Sequence, residues 1–543
     1  MNTDKRQFDT PQDMIRYLND NRGLGVFTED AWGAESWSKF DELVAAGKAK
    51  RTLRSSERPS NRTNTILISD SYKYSQFNQY PPGTEIVRSY VESRGGEWDK
   101  TVFFGLQMFI KDYLLQPITM ADIDEAELLI TAHGEPFYRE GWEYILKEHN
   151  GMIPLKIKAV PEGTVLPYQN VLAVVENTDP KCWWVTSFFE TAILRAIWYP
   201  TTVATNSLES KKIILDGLRE TGTPEDIDFK LHDFGARGVS SHESAAIGGL
   251  AHLINFMGTD TVESLVAAIR NYGATGPVGF SIPAMEHSTV TSWGKPNEAD
   301  SFRNHLKLNG KPGAPIAFVS DSYDIFHACD HIWGEELKQE VIDSGAVVVV
   351  RPDSGDPATV VVKCLKLLAK KFGYVRNEKG YSVLNNVRVI QGDGIDQSSI
   401  RAIIFMAQMA GFSVDNIAFG QGGALLQQVN RDTMKFAMKC SAIRIDGKWI
   451  DVFKDPITDK GKVSKKGLVT LFKATDGSFI SDVEGTEFAN ATEVLVPVYD
   501  HGKLLNEITF DQVRANAQEY WVSRDARQEA VRVEQRARSA ARA

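Results

Sequence analysis

The segment Ala346-Val-Val-Val-Val-Arg-Pro-Asp-Ser-Gly-Asp356 indicates the fold most clearly. Its apolar run predicts a buried strand, and the turn that follows carries Arg351, Asp353 and Gly355. A helical pattern then continues to about Phe372. The segment is therefore one strand–loop–helix unit whose polar residues come directly after the strand.

The same unit recurs between about residue 225 and residue 425, with predicted strands at 228–235, 254–256, 315–320, 387–390 and 417–419. Alternation of strands and helices predicts a parallel α/β sheet with right-handed crossovers. In a parallel barrel the loops after all strands meet at one rim, where ligands bind. An open doubly wound sheet is the alternative, but it concentrates function at one switch point. The many polar loops favour a barrel or partial barrel, whose rim would gather Asp260, His287, Asp321, Arg351, Asp353, Asp393 and Gly422.

Residues 281–294 belong to this series and contain Glu286-His287 between a short apolar run and a Ser/Thr cluster. An imidazole beside a carboxylate can be held in one tautomer and can carry a proton or a phosphoryl group near neutral pH. The alternative for this pair is an ordinary hydrogen-bonded structural contact.

The remainder of the chain divides by composition. We predict an appendage and linker at 1–64, an N-terminal α+β region at 65–224 and the barrel-like core at 225–425. A basic β-rich region at 426–522 is expected to pack with the N-terminal region. The last residues, 523–543, are an Arg/Ala-rich tail that forms a surface helix or a frayed end. Within the N-terminal region the pattern of 66–73 predicts a short strand that runs into a polar loop, and further strands are predicted at 85–92, 155–160 and 171–176. Helices are predicted at 102–115, 120–148 and 183–219, the last interrupted near Pro200.

Composition and charge narrow the class of protein. The 543 residues suggest two to three domains, and 42% hydrophobic with 24% charged residues is typical of a soluble globular protein. A net charge of −10 argues against a general nucleic-acid or anionic-membrane surface, so an anionic ligand has to meet a local group of Arg and Lys. The four cysteines have neither C-x-x-C nor metal-ligand spacing, and the N-terminus has no signal-peptide pattern. We therefore expect a cytoplasmic protein with reduced thiols and without a protein-bound metal.

Several loops suggest phosphate and sugar binding, each with a simpler alternative. In the 351–357 loop, Arg can neutralise phosphate, Asp can take ribose hydroxyls and Gly lets the backbone approach, but a plain helix-capping turn has the same residues. The turns 392–394 and 420–423 can cradle anions with N–H groups or merely turn the chain. Asp260 is either a helix cap or an acceptor for an amide N–H, and Phe234 is either a core aromatic or one plate of a ring-stacking pocket.

Taken together, the motifs resemble those of the nicotinamide phosphoribosyltransferase family over about residues 65–520. The resemblance rests on Asp70-Ser-Tyr-Lys73, Gln79-Tyr-Pro-Pro82, Val175-Glu-Asn-Thr-Asp-Pro180, Trp198-Tyr-Pro200, Thr202-Val-Ala-Thr-Asn-Ser207, Lys230-Leu-His-Asp-Phe-Gly235, Asn255-Phe256, Gly258-Thr-Asp-Thr261, Glu286-His-Ser-Thr289, Ser320-Asp-Ser-Tyr-Asp324, Arg351-Pro-Asp-Ser-Gly355, Val389-Ile-Gln-Gly-Asp-Gly394, Ile417-Ala-Phe-Gly420 and Phe453-Lys-Asp-Pro456. It implies a type II phosphoribosyltransferase barrel and a homodimer with two active sites at the subunit interface. The implied reaction joins nicotinamide to phosphoribosyl pyrophosphate in NAD salvage and gives nicotinamide mononucleotide and pyrophosphate. Mg²⁺ on the phosphates and ATP hydrolysis coupled through phosphorylation of His287 are also implied.

The resemblance implies roles for individual residues. Phe234 and a Tyr72 from the other subunit would sandwich the pyridine ring, and Asp260 would accept the carboxamide N–H and repel nicotinate. The resemblance implies that the catalytic residues are Asp260, His287 and Asp353. Pyrophosphate would be held by Arg237, His287 and Arg351, and the nucleotide ribose and phosphate by Arg351, Asp353, Gly392, Asp393, Gly422 and Gly423. Phosphates would be neutralised by Arg431, Arg94, Lys439, Lys454 and Lys462, some of them across the dimer.

Two positions depart from the family pattern. A Ser that often bonds the amide oxygen is replaced by Ala317, and a Ser of the phosphate loop is replaced by Ala437. Three other functions compete with the one implied. They are a nicotinate phosphoribosyltransferase, a catalytically silent nucleotide-binding scaffold, and a glycoside-type hydrolase with paired carboxylates, which would leave the Arg and Gly loops unexplained.

Overall fold

The computed structural model describes residues 63–458 and 462–540, with side chains described up to residue 526. The predicted appendage therefore lies almost entirely outside the described residues, as do the first two residues of the basic 460–467 loop and the last three of the tail. In chain order the strands are β1 Thr84–Ser93, β2 Lys100–Val102, β3 Leu155–Ala159, β4 Val165–Pro167, β5 Val171–Asn177, β6 Leu231–Asp233, β7 Gly258–Thr259, β8 Pro315–Val319, β9 Val347–Arg351, β10 Tyr374–Arg376, β11 Ser382–Leu384, β12 Val387–Gln391, β13 Ile417–Gln421, β14 Phe436–Ile445, β15 Lys448–Asp451, β16 Val469–Ala474, β17 Phe479–Val483, β18 Ala491–Glu493, β19 Val496–Asp500 and β20 Lys503–Leu504.

The α-helices alternate with the strands mainly in the middle of the chain. They are α1 Leu106–Phe109, α2 Met120–His133, α3 Arg139–Glu148, α4 Val185–Phe188, α5 Glu190–Thr221, α6 His242–His252, α7 Val262–Tyr272, α8 His287–Thr291, α9 Glu298–Asn309, α10 Ile325–His327, α11 Lys338–Ser344, α12 Pro357–Phe372, α13 Gln397–Met409, α14 Gly423–Leu426 and α15 Phe510–Ala540. Helix α12 begins where its sequence predicts, because the Asp356 side chain accepts from the Thr359 N–H at 2.9 Å and Pro357 takes the first helical position.

A curled parallel sheet forms the centre of the molecule. Within the described residues its strand order is β7-β6-β13-β12-β9-β8, and every neighbouring pair is parallel. Parallel bridges join Gly258 to Phe280 and Ala284 to Ala317, so the segment 280–284 lies between the two edge strands. The sheet therefore closes toward a barrel, and the predicted parallel α/β core is confirmed. The inner face of this curled sheet carries a small apolar cluster of Ala317, Val349 and Ile390, against which Phe234, Ile282 and Ala418 pack.

A second sheet combines both ends of the described chain. Its order is β15-β14-β1-β5-β3-β19-β20, and its pairs are antiparallel. The prediction of an additional α+β domain built from N- and C-terminal segments is thus confirmed, while the exact boundaries stay predictions. The second sheet has its own hydrophobic core, which includes Tyr90, Trp142, Val175 and Tyr499.

Several local predictions were wrong. The short strand predicted from Ile66 is absent: the segment forms the 3-10 helices Thr65–Leu67 and Ser71–Asn78, because Asn64 Oδ1 caps the Ile66 N–H at 2.9 Å and the Tyr74 hydroxyl bonds the Ile66 carbonyl at 2.6 Å. Residues 254–256 form a turn, held by Asn255 Nδ2 on the Ala204 carbonyl at 2.9 Å, and the strand follows at β7.

Two helix boundaries also differ from prediction. Residues 100–102 are strand β2, and Gly105, with φ of 106°, separates them from α1. Helix α5 runs through Pro200 without interruption, because Pro200 is buried against Gly105 and the neighbouring Thr201 hydroxyl bonds Phe104 on both its N–H and its carbonyl, each at 3.2 Å. The Arg/Ala-rich residues up to 540 continue α15, whose first turns pack into the core through Phe510, Val513 and Trp521.

Candidate functional site

The carboxyl ends of the parallel strands carry the polar loops, as the sequence predicted. Phe234 and Arg237 follow β6, and Asp260 follows β7. Asp321 follows β8 and Asp353 follows β9. Gly392 and Asp393 follow β12, and Gly422 and Gly423 follow β13. His287 begins helix α8, directly after the segment 280–284 that lies between the edge strands. These loops form the barrel mouth, a name used below for this set.

Phe234 lies across the floor of the mouth. Its backbone N–H donates to the Gln421 carbonyl at 3.0 Å. A Cβ on residue 420 would lie 2.0 Å from Phe234 Cε2, and one on residue 392 would lie 3.3 Å from the same atom. Glycine at these two positions is therefore what allows the phenyl ring to sit flat against the strand ends. The ring is half-buried, so one side remains available to a stacked heterocycle.

Asp260 follows the neighbouring strand, β7. Its N–H donates to the Asp233 carbonyl at 2.9 Å, and its carboxylate accepts the Ser281 hydroxyl. Asp233 itself is fully buried, and burial raises its pKa to about 6. The exposed Asp260 carboxylate thus stays free to accept a further N–H from a ligand.

A cavity of about 330 Å³ lies inside the barrel and extends to the amino ends of the strands at Pro315, Val347 and Ile417. It is lined by Ile282, Val349, Ile390 and Ala418, with Ser281 and His232 among its polar groups. Burial lowers the pKa of His232, so its imidazole is neutral near pH 7. Its apolar walls suit an uncharged, flat group, and the charged side chains Lys230, Arg388 and Asp415 line the cavity as well.

His287 is held by a different carboxylate from the one predicted. Its Nε2 lies 2.9 Å from Asp321 Oδ1, whereas Glu286 accepts the Ser288 hydroxyl. Glu286 is the N-cap residue of α8 and has extended backbone angles, φ −111° and ψ 168°, whereas His287 is the first helical residue. Asp321 Oδ2 accepts the Ser354 hydroxyl at 2.6 Å. One carboxylate therefore joins His287 to the 351–354 turn, and the two predicted elements meet.

Negative charge collects around Asp353. Burial raises the pKa of this carboxyl; Arg351 opposes the rise, and the nearby Asp321 and Asp393 carboxylates add to it. Arg351 Nε lies 3.9 Å from Asp353 Oδ1. Grouped carboxylates beside an open mouth fit Mg²⁺, which is usually bound by one or two carboxylates together with substrate phosphates. Asp353, Asp321 and Asp393 are the residues that could hold such an ion.

The loops after β6 and β13 approach each other at the mouth. A Cβ on Gly238 would lie 3.6 Å from the Gly423 backbone, and the space over Gly423 is open. Arg237 is exposed on the short helix Ala236–Gly238, and Arg431 is exposed further along the chain, where it pairs with Asp432 at 2.8 Å. Arg237, Gly422 and Gly423 are thus brought together, while Arg431 lies beyond this loop pair.

A second group of cations lies on the antiparallel sheet. Burial lowers the pKa of Lys439; Glu190 opposes this, and nearby Arg94, Lys454 and Lys73 reinforce it. Lys73 and Lys439 line a polar cavity of about 340 Å³, where Lys73 pairs with Glu190 at 2.5 Å. This set, Arg94, Lys439, Lys454 and Lys73, is called the basic cluster below. Tyr72 is exposed next to it, and Lys462 is exposed at the edge of the undescribed residues 459–461.

Sequence reasoning missed several residues that the structure connects to these sites. Asp321 was expected only at the rim, although its position after β8 matches that of Asp353 after β9. Ser354 was visible in the same loop motif. Lys73 closes the motif Asp70-Ser-Tyr-Lys73, but its pairing with Glu190, 117 residues away, has no sequence signal. The roles assigned to the individual site residues stay predictions.

Comparison with known proteins supports the architecture along most of the chain. Residues 229–500 match the model of the Nicotinate phosphoribosyltransferase (NAPRTase) family, and residues 64–157 match that of the nicotinamide phosphoribosyltransferase N-terminal domain. A nicotinamide phosphoribosyltransferase from Xanthomonas campestris pv. campestris (strain 8004) is 54% identical over 460 residues, covering 84% of this chain and 98% of that protein. One from Acinetobacter baylyi is 32% identical over 493 residues, covering 84% and 97%.

Solved structures share the fold. A nicotinate-nucleotide pyrophosphorylase from Pyrococcus furiosus superposes with a TM-score of 0.56 at 16% identity, covering 86% of this chain and 98% of that one. Human nicotinic acid phosphoribosyltransferase superposes with a TM-score of 0.55 at 16% identity, covering 84% and 94%. At this identity the likeness concerns the fold alone.

Proposed function

The chain belongs to the nicotinamide phosphoribosyltransferase family, and on that premise we propose that it transfers the phosphoribosyl group of phosphoribosyl pyrophosphate to nicotinamide. The products are nicotinamide mononucleotide and pyrophosphate, and the reaction would serve NAD salvage in the cytoplasm. As a pentosyltransferase it needs a site for a flat base, a site for a sugar and a site for a leaving pyrophosphate. The barrel mouth has features suited to each.

One observation carries the proposal: the Phe234 ring packs against Gly420 and Gly392 at the strand ends, and the loop after the neighbouring strand β7 presents the Asp260 carboxylate, whose residue is bonded through its N–H to the Asp233 carbonyl. A pyridine ring can stack on Phe234, and its carboxamide N–H can donate to Asp260. A nicotinate carboxylate would meet the Asp260 carboxylate instead, and like charges at close range are strongly unfavourable. The arrangement therefore favours the amide over the acid.

The reaction needs stabilisation of charge more than a nucleophile. Breaking the bond between C1 of the ribose and pyrophosphate develops positive charge on the sugar and negative charge on the leaving group. Arg351 and Arg237 can take phosphate oxygens, Asp353 can take ribose hydroxyls, and the N–H groups around Gly392 and Gly423 can hold the remaining anion. Mg²⁺, when bound with the phosphates, would neutralise part of their charge.

We assign ATP coupling to His287. Asp321 holds its Nε2 at 2.9 Å, which leaves Nδ1 as the ring nitrogen directed to a phosphoryl group in this arrangement. A carboxylate on one imidazole nitrogen raises the nucleophilicity of the other, as in other histidine-based catalysis. Phosphorylation here would alter the charge next to the 351–354 turn and so favour product formation.

The basic test is release of pyrophosphate from phosphoribosyl pyrophosphate by purified protein, with nicotinamide or nicotinate and with or without ATP. We expect release with nicotinamide, little with nicotinate, and a gain with ATP. Efficient use of nicotinate alone would establish the nicotinate enzyme instead. Binding of ligands without any product would establish the silent scaffold.

Substitutions at the imidazole test the ATP step separately. His287→Ala should abolish ATP hydrolysis and lower turnover while the protein stays folded. Asp321→Asn should weaken coupling by about 10- to 150-fold, because a hydrogen bond to a charged group contributes about 1.5–3 kcal/mol and 1.36 kcal/mol is a factor of ten. Glu286→Gln is the matched control and should couple normally, since Glu286 bonds Ser288. Unchanged ATP dependence in His287→Ala would contradict the assignment.

We also propose a homodimer whose subunits complete each other's sites. The mouth holds four carboxylates, Asp260, Asp321, Asp353 and Asp393, against two arginines, Arg237 and Arg351, so it has fewer cations than a substrate with several phosphate groups needs. The basic cluster and Tyr72 lie on the other sheet, and a second copy could bring them to the mouth. Co-expression of Asp353→Asn with Lys439→Ala chains should restore activity that neither has alone, because mixed dimers contain one intact site. Mixed dimers without activity would refute sharing of the site.

A further inference from the structure

A group of metal-binding residue types lies outside both the barrel mouth and the basic cluster. His149 follows helix α3, Asp179 and Cys182 follow strand β5, and His501 lies in the β19–β20 turn. The first three form the only group of at least three close His, Cys, Asp or Glu side chains of this kind among the described residues. Because these segments are far apart in sequence, no motif with metal-ligand spacing predicts the group.

Backbone hydrogen bonds at the end of the antiparallel sheet bring the segments together. The His501 N–H donates to the Leu155 carbonyl and the Thr178 N–H donates to the Pro154 carbonyl, each at 2.9 Å. The hydrogen bonds of strand β3 thus fix the His501 turn and the Asp179 loop on either side of the same strand end. The position of the group is consequently set by the sheet and not by flexible side chains.

The donor atoms are close enough for one ion. His149 Nε2 lies 3.0 Å from Asp179 Oδ2, and the ligand atoms of His149, Asp179 and Cys182 all lie within 4.8 Å of one another. Two ligands of a tetrahedral Zn²⁺ at about 2.0–2.3 Å from the ion lie roughly 3.3–3.7 Å apart. Shifts of about 1 Å or less would therefore bring all three atoms to a shared ion.

The surrounding hydrogen bonds are those that a ligand set requires. His149 Nδ1 lies 2.8 Å from His501 Nε2, so the imidazole that ligates through Nε2 can donate its other N–H to a fixed acceptor. Asp179 Oδ1 accepts the Lys181 N–H at 2.7 Å, and Asp179 Oδ2 accepts the Tyr144 hydroxyl at 2.9 Å. Both ligating side chains are thus oriented by a second set of partners.

The Cys182 thiol distinguishes this group from an ordinary His–Asp hydrogen bond. Cys182 is a free cysteine and fully buried, and it lies next to the pair without being needed for it. His149 and Asp179 keep 10% and 18% of their side-chain surface exposed, so an ion can reach the group from solvent. A set of one imidazole, one carboxylate and one thiol matches the preferences of Zn²⁺ and related transition metals, and not those of Mg²⁺ or Ca²⁺.

We propose that His149, Asp179 and Cys182 form a binding site for a zinc-class divalent transition metal, with His501 as the residue that orients His149. Water would complete a four-coordinate shell. The ion would tie helix α3, the loop after β5 and the C-terminal hairpin to one another. The site stands on different elements from the barrel mouth and does not depend on the proposed transferase activity.

Cobalt substitution tests the site in the full-length chain. Protein freed of metal with a chelator is titrated with Co²⁺, and the absorption spectrum is followed. We expect one tightly bound Co²⁺ per chain, with the visible bands of a tetrahedral ion and a near-ultraviolet thiolate-to-cobalt band. The thiolate band separates this site from the carboxylates of the barrel mouth, which offer oxygen alone.

Variants locate the ion. Cys182→Ser should lose the thiolate band, and Cys440→Ser, which removes a different thiol that is half-buried, should keep it. His501→Leu should bind Co²⁺ about 10-fold more weakly but with the same spectrum, as expected for a second-sphere partner. If Cys182→Ser does not fold, His149→Gln, at a partly exposed position, serves in its place and should lose tight binding. Absence of a thiolate band in the unmodified chain, or its persistence in Cys182→Ser or His149→Gln, would overturn the proposal.

Discussion

Substitution of Gly420 by alanine gives the sharpest test of the base site. The added methyl would lie 2.0 Å from Phe234 Cε2 and 2.2 Å from Cδ2. Carbon atoms in contact prefer separations of about 3.5 Å, so the phenyl ring has to retreat by about 1.5 Å. Gly392 lies beside the same ring, and both glycines belong to neighbouring strand ends. The ring can therefore only move into the mouth, which is the space that a stacked pyridine would occupy.

The size of the effect follows from the crowding. Overpacking of this kind costs about 1–3 kcal/mol, and 1.36 kcal/mol corresponds to a factor of ten. We expect kcat/KM for nicotinamide to fall by about 5- to 150-fold, with a much smaller change in KM for phosphoribosyl pyrophosphate. The measurement is the initial rate of pyrophosphate release as nicotinamide is varied, with thermal melting to confirm that the variant is folded.

Two further variants decide whether the ring is responsible. Gly276→Ala is the matched control, because a Cβ there has no heavy atom within 4 Å. In a Phe234→Ala background the clash is absent, so Gly420→Ala should add little to the loss that Phe234→Ala already causes. A Gly420→Ala enzyme with an unaltered kcat/KM for nicotinamide, or fully additive losses in the double variant, would refute the stacking role of Phe234.

Three other substitutions make separate predictions. Asp260→Ser should shift the preference between nicotinate and nicotinamide toward nicotinate by about tenfold or more, since the repelling carboxylate is gone; equal preference in both proteins, measured with each base, would count against the role of Asp260. Ala317→Ser places a hydroxyl on the inner face of the barrel and should lower KM for nicotinamide by about fivefold, the effect of one hydrogen bond of about 1 kcal/mol, whereas a raised KM would show that the amide oxygen points elsewhere. Burial and the nearby Asp324 carboxylate raise the pKa of Glu298 to about 7, so the folded state binds this proton more tightly than the unfolded state, and its contribution to stability is lost as pH rises from 4.5 to about 7. Glu298→Gln should therefore melt with a flatter pH dependence than the unmodified chain between about pH 5 and pH 8, and parallel melting curves would exclude this.

The barrel could be predicted from sequence because its signals are local. The run Val347–Arg351 consists of β-branched residues up to a polar turn, and the parallel strands have the same pattern wherever they are buried on both faces. The rule that such turns meet at one rim then places Asp260, Asp353 and Gly392 together without any knowledge of contacts. This explains why the outline of the mouth followed from the sequence.

The predictions of local structure that were wrong share a different cause. In each case a tertiary contact, which the sequence does not show, determined the conformation. Ile66 is apolar and was expected in a strand, but a capping Asn64 and the Tyr74 hydroxyl hold it in a 3-10 turn. Pro200 was expected to interrupt a helix, but its ring is buried against Gly105. Glu286 was expected beside His287 because it is adjacent in sequence, whereas neighbouring residues at a helix start point in different directions.

Asp321 gives the two parts of the proposed chemistry a physical connection. Its side chain is only 5% exposed and is bound on one oxygen to His287 and on the other to Ser354, so it has little freedom to leave either partner. A phosphoryl group on His287 would add negative charge a few ångströms from this carboxylate, and two like unit charges 4 Å apart near a protein surface repel by about 4 kcal/mol. The repulsion is reduced when cations gather beside the carboxylate. Arg351 lies in the 351–354 turn itself, and the proposed Mg²⁺ would add a second cation there, so a phosphorylated His287 would favour the substrate-bound arrangement of that turn. The coupling of ATP hydrolysis to the transfer reaction should consequently depend on the charge of Asp321 and not on its shape. The Asp321→Asn variant, in which the side chain keeps its size but loses its charge, is therefore the decisive comparison.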